Sequence, residues 1–151
     1  MTLIPGTGDG SHPRDPAAVR IRLVAAGAAV VTVGAGLGLR AVAADNVAKY
    51  GGDALYTVLL LALVVLAAPR WTPLRAAGTA LAASWAVELF QLSAVSAELS
   101  RHSAAARLVL GSTFNAPDLF WYAVGAAGGG LLHGAMSRRR RTPAAGDTPH
   151  T

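Results

Sequence analysis

The sequence contains no cysteine, only 14% of its residues are charged, and aromatic residues make up 6%. The first absence excludes a disulfide framework and any thiolate metal site. The second is low for a soluble domain, in which about a quarter of residues are charged. Basic residues interleaved with aromatics are also missing, so the net charge of +5 at pH 7 does not point to nucleic acid. His12, His102, His133 and His150 are far apart in the chain and support no metal site. Gly6-Thr-Gly-Asp-Gly has neither a preceding strand nor a following lysine at the offset a phosphate loop needs. No nucleophile stands beside a base, so no catalytic residue and no cofactor is implied, and an enzyme ranks last among the function classes.

What the sequence does have is apolar length. Hydrophobic residues make up 53% of the chain, and its mean hydropathy is +0.44. Four apolar segments, at about 19–39, 53–68, 74–95 and 117–136, approach the roughly 20 residues that cross a bilayer as a helix. The expected fold class is therefore an all-α membrane protein, with four transmembrane helices in a compact bundle. Residues 1–18 and 137–151 read as disordered tails, the second of them basic. Pro69 and Pro73 separate the second and third segments. Residues 45–52 and 96–116 read as polar connections.

Basic residues orient the bundle. Arg14, Arg20, Arg22, Arg70, Arg75 and Arg138 to Arg141 fall on one side, and Arg40, Lys49, Arg101 and Arg107 on the other. The positive-inside rule then puts both termini in the cytoplasm of a multi-pass protein of the bacterial inner membrane. Ala41-Val42-Ala43 has the form of a signal-cleavage site, but the apolar run before it exceeds a typical signal core and Arg40 intervenes. Gly27, Val31, Gly34 and Gly38 share a helix face expected to serve as a packing groove. Glycine-rich faces of this kind, Gly125 and Gly129 included, also suit homo-oligomer contacts.

One acid stands out against this frame. Glu88 lies inside an apolar segment, seven residues before Val95, and thus roughly 10 Å below the outer interface. A carboxylate at that depth must be protonated, paired or hydrated, and is a functional-site hypothesis by default. Ser84 and Gln91 share its helix face, and Asp118, Tyr122, Gly125 and Gly129 share one on the fourth helix. These two faces are expected to meet in an outward-opening polar pocket, with Asp53 at the start of the second helix nearby. The structural alternatives are a helix cap for Asp53, a first-turn acid for Asp118, and pairing of Glu88 with Arg101 or Arg40 to lock the bundle.

The residues also carry a resemblance. Gly38-Leu39-Arg40, Lys49-Tyr50-Gly51-Gly52-Asp53, Glu88-Leu89-Phe90-Gln91, Arg101, Leu110-Gly111-Ser112-Thr113-Phe114, Asp118-Leu119 and Tyr122-Ala-Val-Gly125 resemble, in that order, the pattern of domain-of-unknown-function family 2809. Its members are small bacterial integral membrane proteins. A more distant similarity is to VanZ-like proteins, which combine a Glu-x-x-Gln, a following Arg and an Asp opening the last helix. The resemblance includes Arg40 and so speaks against signal cleavage. The expected ligand-binding set is Asp53, Glu88, Gln91, Arg101, Asp118, Arg40 and Tyr122. Besides the bilayer itself, the expected partner is an envelope lipid or cell-wall precursor, its phosphate or carboxylate held by Arg101. The alternatives are a small proton-coupled transporter using Glu88 and a structural membrane scaffold.

Overall fold

The computed structural model describes residues 15–105 and 114–139, and among these it contains four long helices, one short helix, the helical residues 104–105 and no strand. The long helices are α1 (Pro16–Val42), α2 (Asp45–Ala67), α3 (Pro73–Phe90) and α5 (Ala116–Arg139); the short one, α4 (Ala94–His102), follows α3. The tails at 1–14 and 140–151, together with Arg107 and the Leu110–Thr113 motif, lie outside the described residues.

Local chemistry sets the helix ends. Asp15 caps α1 by accepting from the Ala17 amide at 3.0 Å, with Pro16 in the first helical position, where its missing N–H costs nothing. Thr72 and Pro73 repeat the device on α3, the Thr72 hydroxyl accepting from the Arg75 amide at 3.3 Å. Arg70 donates to Asp15 at 3.1 Å, tying the start of α1 to the α2–α3 turn. That hydrogen bond holds the Asp15 carboxyl below the usual aspartate range. Its stabilising contribution is thus present above the unfolded pKa and is lost as pH falls through the folded one.

Two boundaries differ from the expectation. Residues 45–52 are not a connection but the first two turns of α2, so Asp53 lies within the helix rather than at its cap. Asp45 favours the first turn through the helix dipole, and Gly51 leaves room for α1: a Cβ there would stand 2.4 Å from Leu39 Cδ2. Helix α3 stops at Phe90 instead of running to Val95. The Ser93 hydroxyl takes the Phe90 carbonyl at 2.7 Å, and the Leu92 and Ser93 amides close tight turns onto Leu89 and Phe90. Glu88 is accordingly in the last turn of α3, not two turns deep.

Helix α2 is the hub, packing on α1, α3 and α5, while α5 also packs on α3. Glycines make the α5 contacts possible. A Cβ at Gly125 would lie 2.2 Å from the Ala54 carbonyl oxygen, one at Gly129 would lie 2.7 Å from Leu61, and one at Gly130 would lie 2.9 Å from Ala77 of α3. Gly125 and Gly129 therefore serve α2, as does Asp118 through Lys49, whereas Tyr122 on the same helix reaches Glu88 of α3. The glycine groove expected on α1 is not used in this packing: Gly27, Gly34 and Gly38 have nothing within 4 Å. Ala25 and Thr32 are the buried residues of α1.

Burial is inverted relative to a water-soluble bundle. The largest fully buried side chains are Glu88, Thr57 and Ser84, whereas Leu23, Val30 and Leu37 on α1 are 65–73% exposed. Helices α1 and α2 are long and apolar enough to cross a membrane, and only 11% and 22% of their most apolar stretches are buried, unlike the core helices of a soluble protein. So much exposed hydrocarbon in contact with water would drive association. By length and composition, then, two of the four long helices could cross a membrane.

Gly125→Ala is expected to push α2 and α5 apart and to cost about 1–3 kcal/mol of stability. Gly34→Ala should cost nothing, or gain up to about 1 kcal/mol from helix propensity. Thermal unfolding of the two variants in one detergent compares them directly.

Candidate functional site

At one end of the bundle the N-terminal turns of α2, the last turn of α3 and the first turns of α5 converge. Glu88 is 1% exposed there and accepts three hydrogen bonds. Oε1 takes the Asn115 amide at 2.6 Å, and Oε2 takes the Tyr122 hydroxyl at 3.1 Å and the Gln91 side-chain amide at 3.2 Å. Asn115 immediately precedes α5, so its N–H, which Asp118 three residues on could have capped, goes to an acid from another helix. That placement also sets Glu88 against the positive end of the α5 dipole. Below it, Thr57 and Ser84 share a hydrogen bond of 2.9 Å, both fully buried, and the Ser84 hydroxyl also donates to the Ala80 carbonyl. Trp85 braces the pair of helices by donating to the Leu119 carbonyl at 3.1 Å.

A second acid pair adjoins this network. Asp118, also buried, accepts from the Lys49 ammonium and from the Asn115 side-chain amide on one oxygen, Oδ1. Lys49 lies one turn before Asp53 on α2 and stands 3.9 Å from its Oδ2. The aromatic rings of Tyr50 and Trp121 stack beside the lysine, and Tyr56 tilts against Tyr122. Two buried oxygens, Asp53 Oδ2 and Gln91 Oε1, have no hydrogen-bond partner. Among the described residues no group of three or more His, Asp or Glu could hold a metal ion.

Five of the seven residues expected at the site thus stand together: Asp53, Glu88, Gln91, Asp118 and Tyr122. Arg101 and Arg40 do not join them. Arg101 sits on α4 with its side chain 72% exposed and pairs with Glu98 one turn back, and Arg40 is exposed in the last turn of α1. What the sequence reading missed are the partners. Lys49 was legible only once residues 45–52 are helical, because the four-residue spacing to Asp53 then places both on one face. Asn115 acts chiefly through its main chain, which no side-chain pattern announces. Around Glu88 the arrangement is packed and hydrogen-bonded rather than an open pocket.

A separate concavity of about 460 Å³ lies at the other end of the bundle, bordered by α1, α2, the α2–α3 turn and α5. It is remote from the acids.

Tyr122→Phe removes one donor from a buried carboxyl and is expected to lower stability by about 1–2 kcal/mol. Arg101→Ala, at an exposed pair, should change it by less than about 1 kcal/mol. Unfolding of both variants in the same lipid–detergent mixture tests the placement of these residues.

No curated protein and no solved structure matches this chain. A family model described as a protein of unknown function (DUF2809) matches residues 42–126, from the end of α1 to the middle of α5. That span holds every member of the acid cluster, from Lys49 to Tyr122, and leaves out Arg40 and nearly all of α1. With more than half of its length matched, the chain belongs to the DUF2809 family.

Proposed function

We propose that this DUF2809 protein is a multi-pass protein of the bacterial cytoplasmic membrane, and that the cluster around Glu88 is a proton-linked site for a cationic group at the outer face. The orientation rests on the arginines, which gather at the end formed by the start of α1, the α2–α3 turn and the end of α5. The acid cluster lies at the opposite, outer end.

One observation carries the proposal: two carboxyls, Asp53 and Asp118, share one ammonium, Lys49, a third, Glu88, is buried beside them on neutral donors, and two of the buried oxygens have no partner. Ionised together, the three carboxyls leave two negative charges to be balanced inside an apolar bundle, by protons or by a ligand's cation. Gln91 supports exchange between these states. With its amide as it stands, Nε2 donates to an ionised Glu88; turned by 180°, Oε1 accepts from a protonated one. Arg101, the residue expected to hold a phosphate, does not stand at the cluster, and neither does Arg40, so an envelope lipid or cell-wall precursor bound there is recognised through an amine. A small transporter that exchanges protons for such a cation fits the same chemistry.

A second reading, a bundle lock, is favoured by the three hydrogen bonds that already satisfy Glu88. Infrared titration of the protein in lipid nanodiscs separates the two. The proton-linked site predicts a carboxylic-acid C=O band that disappears in Glu88→Gln or Asp53→Asn, and a titration identical in all three proteins leaves only the lock. In proteoliposomes, uptake of tetraphenylphosphonium should follow an imposed pH gradient and fail in Glu88→Gln. Uptake indifferent to the gradient rules out the transport form of the proposal. For the topology, Arg101→Cys should react with an impermeant thiol reagent only from outside and Arg75→Cys only from inside, in a background free of other cysteines.

A further inference from the structure

The concavity at the arginine-rich end is a groove between two helices that barely touch. Helix α1 packs on α2, and α5 packs on α2 and α3, which leaves a gap between α1 and α5 floored by α2. Its walls are mostly hydrocarbon, Ile21 and Ala25 from α1, Leu61 and Val65 from α2, Leu132 and Met136 from α5, with His133 of α5 the polar exception. The mouth is polar, with Arg70, Trp71, Thr72 and Ser137. The Arg70 side chain is 80% exposed although it pairs with Asp15. Arg138 stands beside Pro73 at the same mouth, both within 3.8 Å of where a Gly134 Cβ would be. Arg20, Arg22, Arg75 and Arg139 surround this end, against Asp15 as its acid among the described residues.

We infer that the groove seats an acyl chain of an anionic phospholipid from the cytoplasmic leaflet, with the phosphate at Arg70 and Arg138. The inference rests on the membrane reading above but not on the acid cluster. Charge decides the class of occupant. Walls that are hydrocarbon apart from His133 suit an acyl chain, and a mouth where arginines outnumber Asp15 beside an interfacial tryptophan selects a negative headgroup over a zwitterionic one. About 460 Å³ lies within the usual span of ligand sites, about 300–1,000 Å³.

Native mass spectrometry of the full chain, with phosphatidylglycerol and phosphatidylcholine of identical acyl chains added in turn, tests the site. The expected result is preferential retention of phosphatidylglycerol, reduced about fivefold by Arg70→Gln, the factor for one basic residue near an anionic surface. Ala28→Phe and Val24→Phe both project from exposed positions on α1 into the groove. Each should abolish retention while leaving the thermal transition in detergent unchanged, and agreement between the two guards against misfolding of either. Equal retention of the two lipids, or retention unaffected by both phenylalanine variants, overturns the inference and leaves the membrane reading intact. A lipid-free dimer that both phenylalanine variants split into monomers overturns it in favour of a second copy of the chain. A protein that stays soluble and monomeric without detergent overturns the membrane reading itself.

Discussion

The hydrogen bonds that converge on the Glu88 carboxyl constrain the end of the bundle more tightly than any apolar contact does. A carboxyl withdrawn from water needs donors, and here they come from three places: the amide that precedes α5, the Tyr122 ring on α5 and the Gln91 amide just past α3. Meeting all three fixes where α3 stops, how α5 begins and how closely the two approach. Apolar packing alone, among residues as small as Ala76 and Ala80, would leave those relations loosely specified.

The inverted burial follows from the same physics. In the hydrocarbon setting proposed above, large side chains gain little from being inside, so many face outward, and the interior combines alanines, a few larger apolar residues such as Leu61 and Val65, and polar groups that are mostly hydrogen-bonded to one another. Thr57 against Ser84 and Gly125 against Ala54 are two forms of this rule: one joins helices by a hydroxyl pair, the other by near contact of backbone with backbone. Helix α2 carries both contacts and is the element on which the other three long helices align.

Much of this was legible in the residues, for identifiable reasons. Apolar length and proline positions located the four long helices, and the i, i+3 and i, i+4 rules gathered Glu88, Gln91, Asp118 and Tyr122 onto facing surfaces. What was not legible depended on groups without a sequence signature. The end of α3 turns on a serine hydroxyl meeting a backbone carbonyl, and the burial of Glu88 depends on a main-chain N–H at Asn115. Arg101 misled because proximity in sequence and opposite charge suggested a partner, whereas Glu98 on its own helix was nearer. The Gly34-xxx-Gly38 spacing likewise marks a surface capable of close approach, but spacing alone does not say that anything approaches it.

Helix α1 stands apart from the rest in one respect. It contributes no group to the acid cluster, has its main contact with α2, and is held at its ends by the Asp15–Arg70 pair, the Arg22 bond to the Leu66 carbonyl at 3.2 Å and Leu39 over Gly51. Its contact with α2 is nevertheless the most extensive between any two of these helices, and its Ala25 joins Leu61, Val65, Ala76 and Ala80 in the buried apolar cluster. Detachment of α1 would widen the groove and bare the flank of α2 while every hydrogen bond to Glu88 persisted. The two ends of this small bundle therefore differ in kind, one held by hydrogen bonds to a buried acid and the other by apolar packing of α1 on α2.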